Sequence, residues 1–367
     1  MADGVTGHPE YYICEEARVT DQPRGAHLVG SVPLGSPEQV FRTVSEALGG
    51  HLRRIPDGET GERSQWVGWQ GFAFKEIPQF ELVKPVPGQY PQTPRFRVRN
   101  GADIDDVSFG NLQYADEALA SFEVFQKLQE AGTVHPEVRF QVSLPTPLAT
   151  VAMFVTDDAQ TEVEPLYEAR LLDEVRRILD GIPHDWLALQ WDVAIEMWMW
   201  EGWLDAPFDD VEGAIIDRLA RISDVISDDV ELGFHLCYGD YDHEHFHEPD
   251  DAANLADVAN RIGAAVRRPV QWLHLPVPID RTDDAYFEPL RSLSLHPETE
   301  LYVGLVHFRD GVEGTRSRID TARRHVSAFG VATECGMGRR PPERGGAEDG
   351  LQTLLRTHAE VSAPIRK

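Results

Sequence analysis

Chemistry is most legible around two of the three cysteines of this chain. His235 and Cys237 are separated by one residue, and residues two apart on a β-strand point to the same face, so an imidazole and a thiolate there can share one ion. Cys335 ends another apolar run and is followed closely by Gly336 and Gly338. Neutral imidazole and thiolate suit Zn2+, which in a catalytic site keeps three protein ligands and one exchangeable position. The plainer alternative is that all three are ordinary interior residues; a third group at a second strand end favours the metal. Cys14, in the N-terminal arm, is assigned no role.

Other polar side chains end apolar runs in the same manner: Ser31, Asp57 with Glu59 and Glu62 just beyond it, Asp192 with Glu196, then His274, His307 and Glu334. Imidazole titrates near neutral pH, so His307 is a candidate proton-transfer group, although packing explains a lone histidine as well. Trp191, Trp198, Trp200 and Trp203 either line a pocket for a planar substrate or serve an oligomer contact or packing at the mouth of the fold. His243, His245 and His247, in GDYDHEHFHEP, read as a substrate-contacting loop ahead of a second metal site.

The elements that must position these groups follow from the hydrophobic pattern. Eight short runs rich in Val, Leu, Ile, Phe and Trp read as strands: 27–33, 52–57, 138–145, 186–196, 230–239, 270–278, 301–308 and 329–336. Amphipathic stretches between most of them predict helices over 37–48, with Ser36 as N-cap, and over 116–131, 163–179, 211–225, 250–267 and 314–325, with a last helix over 351–361. Eight strands alternating with helices predict an α/β chain folded as a closed (β/α)8 TIM barrel, with a doubly wound sheet as the alternative. The prediction is one domain over 1–367, with a long 61–105 insertion after strand 2 that serves as lid or interface. In such a barrel the active site lies at the C-terminal strand ends, where the polar residues above are found.

Composition bounds the partners. The 367 residues carry 34 basic and 62 acidic side chains, a formal charge of −28, which opposes nucleic-acid and membrane-surface binding without a local basic patch. With 41% hydrophobic residues and a mean hydropathy of −0.35, the chain has the make-up of a soluble globule. No apolar run approaches the roughly 20 residues of a membrane span, and the N-terminus lacks the features of a secretory signal, so a cytoplasmic location is expected.

Five segments, in order and spread over nearly the whole chain, resemble the catalytic barrel of cobalamin-independent methionine synthase and its relatives. These are LVGSVPLGSPEQVF, DGETGER, LQWDVAIE, HLCYG and ATECGMGRR. The relatives include zinc-dependent thiol alkyltransferases such as the coenzyme M methyltransferases and epoxyalkane:coenzyme M transferase. The resemblance implies that His235, Cys237 and Cys335 hold Zn2+, that Ser31 meets a substrate carboxylate, and that Asp192 meets its ammonium group, with Glu59 or Glu62 nearby. The chain departs from the synthases where they carry a glutamate zinc ligand: WLHLPVP places His274 at or near that position. Either His274 substitutes as ligand or the site keeps three ligands.

The activity implied is methyl or alkyl transfer from a small alkyl donor to a small-molecule thiol made nucleophilic by zinc. A polyglutamyl folate is disfavoured by the acidic charge, unless Arg63, Arg339 and Arg340 focus basic character at the mouth, and by the single barrel in place of the synthases' two. Two alternatives stand: a zinc-dependent hydrolase or lyase with Asp192 or Glu196 as base, and a metal-free enzyme like uroporphyrinogen decarboxylase.

Overall fold

A computed structural model describes residues 22–83, 94–240, 245–338 and 347–366, the side chains of 347–349 excepted. Cys14, His243, Arg339 and Arg340 lie outside the described residues. In chain order the strands are β1 (Arg54–Pro56), β2 (Phe80–Val83), β3 (Arg95–Val98), β4 (Arg139–Pro145), β5 (Leu187–Val193), β6 (Glu231–Leu236), β7 (Trp272–Pro276), β8 (Glu300–Val306) and β9 (Gly330–Thr333). Seven of them form one all-parallel sheet in the order β1-β4-β5-β6-β7-β8-β9. Helices separate most of the successive strands, and β5 is buried along its whole length, as expected of a parallel strand covered on both faces.

The strand predicted over 27–33 is not a ladder strand. Ala26 makes single parallel bridges to Leu52, just before β1, and to Val331 in β9, so one residue touches both edges of the sheet and the sheet is curled. Beyond it the backbone leaves the ladder because side chains take its carbonyls. Gln141 Nε2 donates to the Leu28 and Val29 carbonyls, both at 3.0 Å, and Ser143 Oγ and Gln190 Nε2 also donate to Val29, at 2.9 and 2.7 Å. Buried backbone groups require partners, and here polar side chains from β4 and β5 supply them in place of a neighbouring strand.

The run 186–196 is likewise two elements. The strand stops at Val193, and Glu196 belongs to the helix Ile195–Trp200, because a continuous apolar run carries no periodicity to mark the change. The helix Pro37–Leu48 has the predicted bounds, with Ser36 Oγ accepting from Gln39 N. The insertion contains a 3-10 segment, Gly61–Gln70, a short helix, Gly71–Lys75, and the antiparallel pair β2–β3. Phe74 stacks on Phe154 and Tyr167 at 4.8 and 5.6 Å, which joins the insertion's core to the helices Pro147–Phe154 and Gln160–Gly181.

Two features hold the sheet interior in place. Arg54 is buried at the N-terminal strand ends, where it pairs with Glu231 at 2.5 Å and Glu300 at 3.0 Å and lies 4.1 Å over the Trp272 ring. Directly beside Trp272, residue 233 must lack a side chain, since a Cβ there would lie 2.0 Å from the indole. Gly233 therefore makes room for the largest residue of β7.

Candidate active site

Parallel register brings the first three site residues together. Asp192 on β5 is the partner of His235 on β6, and His235 is the partner of His274 on β7, so the three side chains share one face and one level at the C-terminal strand ends. Cys237 follows β6 immediately, its N–H bonded to Val193 O at 3.0 Å, and Cys335 follows β9. Strand curvature closes the remaining distance, for the two sulfurs, 98 residues apart in sequence, are 3.7 Å apart in space.

Among the described residues, His235, Cys237 and Cys335 are the one group able to hold a metal ion, with ligand atoms all within 4.8 Å of one another and all three residues buried. Two thiolate ligands at about 2.3 Å from zinc and a tetrahedral angle apart lie about 3.8 Å from each other, so the sulfur pair has the required spacing. His235 Nε2 is buried without a hydrogen-bond partner, and its free lone pair is what an imidazole ligand must offer. The proximity of Cys335 and burial push the Cys237 thiol well above its ordinary value, since a second negative sulfur would be unscreened there. A cation reverses that balance. The donor set therefore fits zinc.

His274 lies next to that cluster, against His235. Its Nδ1 is 2.6 Å from His235 Nδ1, and its Nε2 is 2.9 Å from the Thr333 carbonyl, so both ring nitrogens are engaged within the protein. Burial, with His235 and His27 close by, holds its pKa well below the ordinary value.

Asp192 is fixed by two neutral donors. Gln190 Nε2 reaches its Oδ1 at 2.9 Å, and Trp66 Nε1 reaches its Oδ2 at 3.2 Å. The Gln190 carbonyl accepts from His27 Nε2 at 2.9 Å and Trp272 Nε1 at 3.3 Å, which sets the orientation of the amide. Burial, together with Arg54, lowers the His27 pKa to about 3, so this imidazole is neutral. Trp66 also packs against Cys237 and Cys335, from a backbone at φ 52° and ψ −117° that a side chain disfavours. Neither Trp66 nor Gln190 was among the residues singled out in the sequence. Gln190 had a signal, two residues before Asp192 on the same strand face; Trp66 had none, because its place depends on how the insertion folds back.

The remaining predicted residues divide. Ser31 Oγ accepts from Gly338 N at 3.3 Å and packs against Gly336, where a Cβ would lie 2.1 Å from it, so Ser31 abuts the turn that carries Cys335. Asp57 is an anchor: Oδ1 accepts from Glu59 N at 3.0 Å, and Oδ2 meets Ser121 Oγ and Arg63 Nη1, both at 2.8 Å. That turn holds Glu59 at φ 49° over a small cavity bounded also by Arg63, Tyr114 and Ser143. Glu62 is exposed, whereas Asp57 and Glu59 both line the cavity.

Trp191 is placed away from these groups, since strand alternation turns it to the face opposite Asp192, where it is buried in the core. Trp198 donates to Tyr238 O at 2.8 Å and packs on Phe246, while Trp203 packs on His247 at 4.9 Å, so these tryptophans clamp the loop after β6. Trp200 lies 5.2 Å from the Arg261 guanidinium. Glu196 is buried against Thr146 Oγ1, and burial pushes its pKa up to about 7. His307 sits between Glu334 Oε2 at 3.0 Å and the Val277 carbonyl at 2.9 Å, beside the strand end of Cys335. His245 is buried with both ring nitrogens outside hydrogen-bond distance of a partner, Glu248 Oε1 being 3.7 Å away. No helix among the described residues is long and apolar enough to cross a membrane.

No family model matches the chain, and no curated protein matches it. Two solved structures share the fold. One is a candidate vitamin-B12-independent methionine synthase from Listeria monocytogenes, 14% identical, with a TM-score of 0.51, covering 89% of this chain and 87% of its own. The other is a methyltransferase from Methanosarcina mazei, 11% identical, with a TM-score of 0.53, covering 93% and 94%. At these identities the likeness is one of fold.

Proposed function

We propose that the protein is a zinc-dependent transferase that moves a methyl or alkyl group onto the sulfur of a small thiol, on a barrel completed by the segment 27–33. The reading is carried by one observation: His235, whose Nε2 is buried and unpartnered, has a ring nitrogen within 4.8 Å of a cysteine pair whose sulfurs are 3.7 Å apart, the edge length of a tetrahedral zinc site. The fold shared with a candidate methionine synthase and a methyltransferase supports it.

His235, Cys237 and Cys335 would hold the ion, which when bound supplies thiol activation and orientation. Asp192, oriented by Gln190 and Trp66, and Glu59, held by Asp57, offer carboxylates to a cationic group of the substrate. Ser31, against the Cys335 turn, is a donor for an anionic one. His307, beside Glu334, is the group able to carry a proton. The hydrolytic alternative has Asp192 or Glu196 as base; Glu196 lies against Thr146 in the helix after β5, and the fold shared with a candidate methionine synthase and a methyltransferase makes thiol transfer the better reading.

The test is metal content of the purified protein, followed by addition of candidate thiols to a cobalt-substituted sample. Near-stoichiometric zinc and a new sulfur-to-cobalt charge-transfer band with one class of thiol are expected. Absence of metal, or Cys237→Ser and Cys335→Ser variants that keep both metal and activity, would sink the proposal.

A further inference from the structure

The geometry points to His274 as a positioning residue: it accepts the Nδ1 proton of His235 and so holds the His235 Nε2 lone pair toward Cys237 and Cys335, without binding the ion itself. This rests on the reading of the cluster as a metal site, but its core is a statement about two protons that stands in the metal-free protein.

The assignment follows from acceptor counting. The Thr333 carbonyl can only accept, so His274 Nε2, 2.9 Å from it, carries a hydrogen. A neutral imidazole has one N–H, which makes His274 Nδ1 an acceptor. His235 Nδ1, 2.6 Å away, must then be the donor, and its own Nε2 is left with a lone pair. That is the nitrogen found buried without a partner. The opposite assignment needs a doubly protonated His274, a cation enclosed at 0% exposure whose hydrogen-bond partners are a backbone carbonyl and another imidazole, with no carboxylate between them.

One hydrogen-bonded chain thus runs from His235 on β6, through His274 on β7, to Thr333 on β9, two residues before Cys335. Thr333 Oγ1 donates in turn to the Cys335 carbonyl at 2.5 Å. The two strands that carry the ligands are tied to each other by the same bonds that set the imidazole. A histidine ligand whose second nitrogen is fixed in this way keeps its tautomer and ring orientation, and loss of such a partner typically weakens metal binding by roughly 10–100-fold.

Two measurements test it. In metal-free protein labelled with 15N-histidine, long-range nitrogen–proton correlations report which nitrogen bears hydrogen, with His235→Gln and His274→Asn identifying the signals. His235 is expected as the Nδ1–H tautomer and His274 as Nε2–H; His274 with hydrogen on Nδ1 overturns the proposal whether or not the protein binds zinc. Chelator competition then compares zinc affinity in the wild type, His274→Leu and His274→Asn, whose Oδ1 can accept where Nδ1 does. A loss of roughly 10–100-fold in the leucine variant, largely restored in the asparagine variant with an unchanged cobalt spectrum, is expected. Equal affinity in His274→Leu, or loss of a nitrogen ligand in the cobalt spectrum of His274→Asn, overturns it. A wild type that binds no zinc but shows the predicted tautomers removes the functional proposal and leaves the proton assignment standing.

Discussion

Trp66 Nε1 donates to Asp192 Oδ2 across 3.2 Å, from a residue whose backbone at φ 52° and ψ −117° is disfavoured for any side chain. The bond spans 126 residues of sequence and joins the insertion to the strand that lies beside the metal-capable cluster. Strained backbone persists only where its surroundings hold it, and the surroundings here are the two cysteines and an acidic group that requires donors.

Trp66→Phe keeps the ring and removes the donor. Unfolding free energy is expected to fall by about 1–3 kcal/mol, the cost of leaving a buried acceptor without its donor. Urea unfolding of the two proteins checks this, and equal midpoints and slopes would show that the bond contributes nothing.

A metal that binds the folded state alone raises thermal stability by mass action. A strong chelator is therefore expected to lower the melting temperature of the wild type, and to leave that of the Cys237→Ser/Cys335→Ser double variant unmoved. Calorimetric scans with and without chelator supply the comparison; a wild type indifferent to chelator contradicts the expectation.

Glu196 sets a pH dependence of definite sign. Its folded pKa is raised from 4.5 to about 7, chiefly by burial, so between these values the native state binds the proton more tightly than the unfolded chain. Its stabilising contribution is full below the unfolded value and is lost as pH rises through the folded one. Glu196→Gln removes this term, and the variant's stability relative to wild type should improve by on the order of 3 kcal/mol between pH 4 and pH 8. Denaturant unfolding at both pH values measures it; a difference between the two proteins that does not change with pH refutes it.

Gly233→Ala would bring a Cβ to 2.0 Å from the Trp272 ring, which cannot retreat freely because Arg54 lies over it at 4.1 Å. Overpacking of this kind costs about 1–3 kcal/mol or more. Trp272→Leu in the same chain should recover part of that loss, and a non-additive double-mutant cycle in thermal unfolding is the expected result.

Much of this architecture is written in local pattern. The apolar runs that became β4 to β9 and the helix Pro37–Leu48 are set by periodicity and capping, which act over a few residues. The pairing of His235 with Cys237 is equally local, because a strand turns alternate residues to one face. Local pattern failed where two answers share one composition. The segment 27–33 is apolar enough for a strand, yet its carbonyls go to Gln141, Ser143 and Gln190, and nothing within the segment says so.

What only the tertiary structure decided is which distant groups meet. Cys335 reaches Cys237 because the parallel sheet curls; Trp66 reaches Asp192 because the insertion folds back; Trp191 and Glu196 turn away because a strand alternates and then ends. The sequence left open whether His274 is a ligand, and register places it beside His235 with both nitrogens engaged. The types of residue needed for a metal site are a property of the sequence. Which lone pair is left over is a property of the hydrogen bonds around it, and those come from strands brought together across the whole chain.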